Sequence, residues 1–375
     1  MDRPAVVLGA RMTFAFTRIL DAVLGRGESA ITIPALDGAL RPNRRLDEAA
    51  QRIAIDRPGG ILAGSGGVLV ASGDEIRRLE SDGAWRLVYK AEGAISCLGE
   101  AAGGIAVGLE SGTVKLVGGR FDGARFEPTP EARCPTAIDG TEDSLYVCHG
   151  SGSNSPSHWR RDLMERNASG SVWRLDPATG SRQRIAARLA FPAGIVLDGE
   201  RLLVSESWRH RILRLDRITG SLLDLPLDDL PGYPGQISRA GREGYLLSVF
   251  APRSQLVEFI LREPGYRRRM LAEVEPRFWV APKFRAGRSF YEPLQGGGVK
   301  HLGILKPWAP TLSFGMVVRL DSACLPLESF QSRADGGTHG VIGAVLHEGW
   351  LYAASRGDDV VVRLAGASGG EAGPP

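Results

Sequence analysis

Apolar and polar positions alternate in short runs along most of this chain, and the runs recur as a unit. The clearest copy is Ala193–Asp216. An apolar strand through Leu197 meets an Asp198-Gly199-Glu200 turn, a second strand covers Leu202–Ser205, and a third closes on Leu213-Arg214-Leu215. The same order recurs at Gly59–Leu79, Ile95–Val117, Thr136–Leu175, Gly235–Leu320 and Val341–Leu364, which makes six copies. Strict alternation over short runs, bounded by Gly and acidic turn residues, predicts β-strands in hairpins. A unit of three or four such strands repeated every ~40–50 residues predicts the blades of a β-propeller. The expected fold is therefore all-β, a six-bladed propeller filling residues 46–366. Its site is expected where the innermost strands begin, around one axial mouth.

The last copy supplies only three strands of its own. Gln51–Ile55 reads as a strand ahead of the first blade, so residues ~46–56 are expected to complete the sixth blade and remove an open edge. Residues 1–45 form an N-terminal helix and arm, and 367–375 a Gly/Pro-rich flexible tail. Met12, Phe16, Ile19, Leu20, Val23 and Leu24 share a helical stripe. That stripe fits a helix packed on the propeller body, or alternatively membrane-surface contact through residues 5–24. The N-terminal stretch is too interrupted by charge for a membrane span and weak as a secretory signal.

Two insertions break the repeat. His149–Ser169 separates two strands of the third blade. Phe250–Leu312 splits the fifth, with a helical first half over Arg253–Glu273 that carries Arg267–Arg269. Insertions this long in a compact fold are usually ligand loops, lids or interfaces.

Charge narrows the functional classes. The 46 basic and 43 acidic residues nearly cancel, leaving no electrostatic footprint for nucleic acid. Cys97, Cys134, Cys148 and Cys324 include no metal-type pair, and they read as buried free thiols suited to a reducing, cytoplasmic compartment, with Cys134–Cys148 as the one conceivable disulfide.

Several motifs resemble the strictosidine synthase-like family: Ser169–Pro177, Leu189–Ile195, Ser205–Arg214, Asp229–Ile237, Phe314–Leu320 and His347–Tyr352. The resemblance spans residues ~130–366, and the first two blades match only in pattern. It implies a six-bladed propeller, related to the gluconolactonase/senescence-marker and paraoxonase groups, with its site in the central mouth. Strictosidine synthase performs a Pictet–Spengler condensation with an essential glutamate. Ile342 stands at that position here, which disfavours the reaction. The related lactonases hold a divalent cation with Glu, Asn and Asp at inner-strand starts. The matching positions here are Gly59-Gly60, Pro135-Thr136, Ala193 and Gly235-Gln236. Gln236 alone offers an oxygen suited to a hard cation, so no metal and no other cofactor are expected.

The remaining polar residues near the expected mouth nominate the site. Glu206 follows a second strand and would act as a general base if burial raised its pKa, the alternative being an ion pair with Arg209 or Arg211. His339 precedes an inner strand and would shuttle protons, the alternative being a hydrogen-bonded loop histidine. His149 ends a second strand and completes the catalytic candidates. His158, Trp159, Arg160, Trp208, Arg253, Gln236 and Phe314 are the candidate substrate-binding residues. Arg160, Arg161, Arg209, Arg253, Lys300 and Lys306 are the basic residues expected near the mouth, and arginine forks with aromatic walls suit a small amphipathic acid, or its lactone or ester. Two functions remain open: a metal-independent lactonase- or esterase-like hydrolase, and a non-catalytic small-molecule-binding or interaction propeller.

Overall fold

A computed structural model of the chain describes residues 33–64, 66–241, 244–288, 292 and 311–365. The chain divides into two compact units, 1–33 and 34–375, and the second holds the propeller. The expected N-terminal helix and the flexible tail lie outside the described residues.

Six four-stranded antiparallel sheets form the blades. Blade 1 runs β2 (Pro58–Gly64), β3 (Gly67–Ser72), β4 (Glu75–Leu79) and β5 (Trp85–Lys90). Blade 2 is β6 (Ile95–Ala101), β7 (Gly104–Leu109), β8 (Val114–Val117) and β9 (Arg125–Phe126). Blade 3 is β10 (Pro135–Gly140), β11 (Leu145–His149), β12 (Gly170–Leu175) and β13 (Arg182–Leu189). Blade 4 is β14 (Pro192–Asp198), β15 (Arg201–Glu206), β16 (Arg211–Asp216) and β17 (Leu222–Leu227). Blade 5 is β18 (Gly232–Arg239), β19 (Gly244–Pro252), β20 (Gly315–Asp321) and β21 (Pro326–Ser332). Blade 6 is β22 (Val341–His347), β23 (Trp350–Ser355) and β24 (Val360–Ala365), with β1 (Gln51–Ala54) as its outermost strand. The early strand thus closes the ring as the repeat count requires, with Gln51 opposite Arg363 and Ala54 opposite Val360. The innermost strands contact one another in turn around the axis, and β22 meets β2.

Local chemistry explains the repetition. In blades 3 and 4 the third and fourth strands are joined by the same turn, Asp176 to Ser181 and Asp216 to Ser221. In each, the Asp Oδ1 accepts main-chain N–H groups two and three residues on, and Gly180 or Gly220 takes a positive φ. Second strands are buried on both faces, as in Leu202–Glu206, because neighbouring blades cover them. The resulting clusters lie between blades: Val196, Leu203, Tyr245, Leu247 and Met316 in one, and Tyr146, Val172, Ile195 and Val204 in another.

The first half of the blade-5 insertion is helical, as expected, and the blade-3 insertion carries a helix of its own. In blade 3, helix α1 (Trp159–Glu165) lies between β11 and β12. In blade 5, helices α2 (Gln255–Arg262) and α3 (Pro264–Glu273) follow β19, and Ser254 caps α2 by accepting from the Val257 N–H. All four cysteines are free and buried. Among the described residues no helix is long and apolar enough to cross a membrane.

Candidate functional site

One feature recurs in every blade and builds the site. Each innermost strand slips register against its neighbour near its second residue: between Pro58 and Gly60, Ile95 and Cys97, Pro135 and Ala137, Pro192 and Gly194, Pro234 and Ile237, and Val341 and Gly343. The residues spanned by these slips are Gly59, Ser96, Thr136, Ala193, Gly235-Gln236 and Ile342. All of them line a cavity of about 490 Å³ at the axial mouth. A β-bulge re-aims the backbone locally, so a recurrent bulge presents a ring of equivalent positions to one axis.

The floor is plugged. Gln236 Nε2 donates to Ile61 O at 2.9 Å, joining blade 5 to blade 1. Its amide oxygen packs against Gly343, where an added Cβ would lie 1.8 Å from it. Thr136 Oγ1 donates to Pro192 O, and Ser96 Oγ donates to Pro135 O at 2.8 Å.

The walls come from the insertions and from loops leaving second strands. Trp159, Phe191, Phe250 and Phe284 supply an aromatic side; Trp159 lies 4.9 Å from Phe284 and 5.3 Å from Phe250, centroid to centroid. The described lining also holds the cations Arg160, Arg277, Lys283, Arg285 and Arg356 and the carboxylates Glu110 and Glu292. Most of these charges are tethered. Lys283 Nζ sits 3.4 Å from Glu292 and donates to Arg277 O at 2.6 Å. Arg285 pairs with Asp358 at 3.3 Å and Arg277 with Glu275 at 2.6 Å. Arg160 donates to the Pro276 carbonyl at 3.0 Å and has no ion pair among the described residues. Burial lowers the pKa of Arg160, Lys283 and Arg356 against the opposing pull of nearby glutamates.

Of the ten residues nominated from sequence, Trp159, Arg160 and Gln236 line this cavity. The expectation that His149, His158, Glu206, Trp208, Arg253 and His339 share it with Trp159 is corrected by their placement. Glu206 is fully buried, with Arg209 Nη1 and Arg211 Nε each at 2.6 Å and the Ala190 N–H at 2.7 Å. It is the ion-paired alternative. His149 Nδ1 accepts the Cys134 N–H at 3.2 Å, and burial lowers its pKa to about 3. His339 is the hydrogen-bonded loop histidine: Nδ1 lies 2.8 Å from Ser313 Oγ and Nε2 2.7 Å from Arg333 O, while burial lowers its pKa. His158 is exposed, with Nδ1 2.8 Å from Ser155 Oγ. Trp208 stands behind the wall, stacked on Phe191 at 4.5 Å. Arg253 is held by Asp229 at 2.6 Å, and Phe314 belongs to the core between blades.

The topological premise nevertheless holds for the loops. Glu110 follows the second strand of blade 2, Arg356 that of blade 6, and the blade-3 insertion brings Pro156, Ser157, Trp159 and Arg160. The site residues missed were Glu110, Arg277, Lys283, Phe284, Arg285, Glu292 and Arg356. Glu110 and Arg356 stand one residue beyond the register position of His149 and Glu206, which Leu109 and Ser355 hold in their blades, so the repeat pointed to the right loops and missed the residue by one. Lys300 and Lys306, also expected near the mouth, lie outside the described residues.

The ring of inner-strand starts does not fit a hard cation. Gly59, Gly60, Ala193 and Gly235 bring no side-chain oxygen, Thr136 donates to carbonyls, and the Gln236 amide closes the floor. Among the described residues no group of three or more His, Cys, Asp or Glu side chains could hold a metal.

Comparison with known proteins agrees with this architecture. Residues 136–216 match the strictosidine synthase family. That stretch covers the third blade and three strands of the fourth. Two curated relatives, each named adipocyte plasma membrane-associated protein, come from Danio rerio and Salmo salar; each is 28% identical over 181 residues. The match covers 42% of this chain and 43% of each relative, less than half the length of either. Among solved structures, a gluconolactonase-family propeller superposes with a TM-score of 0.50 at 11% identity, covering 84% of this chain and 91% of its own. Virginiamycin B lyase from Staphylococcus aureus gives 0.48 at 12% identity, with coverage of 84% and 98%. At such identities the likeness concerns the fold.

Proposed function

We propose that the protein binds a small amphipathic organic anion in the axial mouth, and that any chemistry there proceeds without a metal. The observation that carries this reading is the described lining: five cationic side chains against two carboxylates, beside a wall of four aromatic rings. Guanidinium forks in a partly desolvated cavity favour carboxylate or phosphate, and the aromatic wall takes the apolar remainder. The volume of about 490 Å³ suits a drug-sized molecule.

Hydrolysis of a lactone or ester is the second reading, and one observation favours it. Glu110 lines the mouth with one carboxylate oxygen on the Ser157 N–H at 3.0 Å, while among the described residues the other makes no hydrogen bond. A carboxylate so held could take a proton from water attacking a carbonyl. The catalytic candidates His149, Glu206 and His339 lie off the cavity, so binding is the stronger reading.

Calorimetric titration with aryl carboxylates and their neutral amide counterparts tests the first reading. The acids should bind and the amides should bind at least tenfold more weakly; equal affinities would exclude an anion site. A panel of lactones and aryl esters tests the second. Turnover that disappears in Glu110→Gln would make the protein an enzyme, and background rates throughout would leave it a binder.

A further inference from the structure

We propose that Arg356 is the anion anchor of the mouth, and that its ligand is a singly charged carboxylate bearing a hydroxyl or ammonium donor beside that carboxylate. This rests on the mouth being an organic-anion site, and it names the class of anion.

Arg356 differs from every other cation in the described lining. Arg277, Lys283 and Arg285 pair with carboxylates, and Arg160 donates to a carbonyl. The half-buried Arg356 guanidinium makes no hydrogen bond and no ion pair among the described residues. Its guanidinium carbon lies over the Phe284 ring, 5.6 Å from the centroid. The main chain beneath it is fixed: the Arg356 N–H donates to Gly340 O at 3.0 Å, and the Gly357 N–H to His339 O at 3.1 Å. A guanidinium carries five N–H donors in a rigid fork, and leaving them unpaired while partly desolvated is costly. A fixed backbone, a stacked aromatic and idle donors facing a cavity describe a fork held for a bidentate acceptor.

Carboxylate and phosphate both fit a fork, and the neighbouring charge separates them. Glu110 lies within electrostatic reach of Arg356 and favours its charged form. Among the described residues it keeps one oxygen free of hydrogen bonds in the same cavity, whereas Glu292 is paired with Lys283. A phosphate dianion on the Arg356 fork would be repelled by Glu110. A monoanionic carboxylate meets half that repulsion. A hydroxyl or ammonium beside it would satisfy the free Glu110 oxygen, so the ligand would engage the Arg356 fork and Glu110 together. Phe284 and Trp159, 4.9 Å apart, would take its apolar body.

The test is calorimetric titration of the full chain with mandelate, phenylacetate and phenyl phosphate. Mandelate should bind tightest, with phenylacetate and phenyl phosphate each weaker by about fivefold or more. Arg356→Gln should weaken mandelate by about tenfold or more. Arg356→Lys, which keeps the charge and loses the fork, should show a smaller loss and serves if the glutamine variant does not fold. Glu110→Gln should erase the preference for mandelate over phenylacetate and, because it removes a like charge, should not weaken phenylacetate. If the wild type binds these anions and both Arg356 variants bind them equally well, the anchor is wrong and the anion site stands. Phenyl phosphate binding tighter than mandelate would overturn the carboxylate assignment. If none of the three binds the wild type, the anion-site reading itself falls.

Discussion

Asp162 Oδ1 accepts the indole N–H of Trp208 at 2.8 Å, tying the insertion of blade 3 to blade 4. The carboxylate is fully buried and has no cationic partner among the described residues; Oδ2 accepts from Asn154 Nδ2 at 3.1 Å and Asn167 Nδ2 at 2.9 Å. Burial raises its pKa, against the hydrogen bonds that lower it. Helix α1, which delivers Trp159 and Arg160 to the mouth, therefore depends on one desolvated acid. Three donors, Asn154 buried and Trp208 and Asn167 half-buried, converge on Asp162.

Removing that acceptor orphans the Trp208 N–H, while Asn154 keeps Glu165 Oε2 at 2.9 Å and Asn167 keeps Ser153 Oγ at 2.7 Å. Asp162→Ala should destabilise the protein by about 3 kcal/mol, since an orphaned donor costs ~1–3 kcal/mol and each further lost hydrogen bond ~0.5–1.5 kcal/mol. Trp208→Phe, which deletes a single donor and keeps most of the ring, should cost about 1 kcal/mol. Urea denaturation of the two variants measures both. Equal losses would mean that the hydrogen bonds are incidental and packing dominates.

The buried histidines set an acid limit on stability. His149 is neutral when folded, with a pKa lowered to about 3, whereas an unfolded histidine titrates near ~6.5. Between those values the unfolded chain binds the extra proton. Stability is therefore greatest above ~6.5 and is lost as pH falls through ~6.5 towards 3, by about 1 kcal/mol per pH unit. His339, also lowered by burial, acts in the same direction. Comparing denaturation of the wild type and His149→Gln at pH 7.5 and 4.5 cancels the carboxylate contributions. The wild type should lose more than the variant, and equal losses would contradict a neutral buried ring.

Legibility in the sequence follows the strength of local periodicity. The blades were readable because each strand alternates and each turn carries its own chemistry, as in the Asp216 and Gly220 pair. Ring closure was readable because blade 6 was one strand short. The convergence of second-strand loops was readable by equivalence. The direction of individual side chains was not. His149 and Glu206 end their strands inside the protein, where a main-chain N–H and two arginines take them up, and nothing in a single strand's pattern reveals those distant partners. Lys283, Phe284 and Arg285 lie in an insertion without periodicity, and only the tertiary fold brings them over the axis.

The floor offers a coupled pair. A methyl group at Gly343 would lie 1.8 Å from Gln236 Oε1 and 2.9 Å from Ile61 Cγ2. Gly343→Ala should therefore displace the Gln236 amide, break its bond to Ile61 O and destabilise by about 2 kcal/mol. In a Gln236→Ala background the same change should cost about half as much, because the nearer clash is gone and the Ile61 contact remains. A coupling energy of about 1 kcal/mol in this double-mutant cycle is the expected outcome. Strict additivity would show that the amide does not fill the floor.

Closure of the ring supplies the strongest test of the architecture. The arm ahead of β1 runs along the outer strand of blade 5 before it reaches blade 6. Asn43 Nδ2 donates to Ser329 O at 3.0 Å, its Oδ1 accepts the Gln331 N–H at 2.9 Å, and Leu46 beside it is completely buried. Asp47 Oδ1 then receives Ser332 Oγ at 2.8 Å, and β1 pairs with β24 through Ala54. Deleting residues 1–56 removes this clasp, uncovers Leu46's pocket and leaves Val360–Arg363 as an unpaired apolar edge. Two results are expected. The truncated chain should fail to give soluble protein with a cooperative thermal transition. Asn43→Ala, which breaks the clasp at one residue, should keep the fold and cost about 2 kcal/mol, because two main-chain groups of β21, Ser329 O and the Gln331 N–H, lose this partner. A soluble, cooperatively folding truncation would show that blade 6 is stable with three strands and that the arm is an accessory.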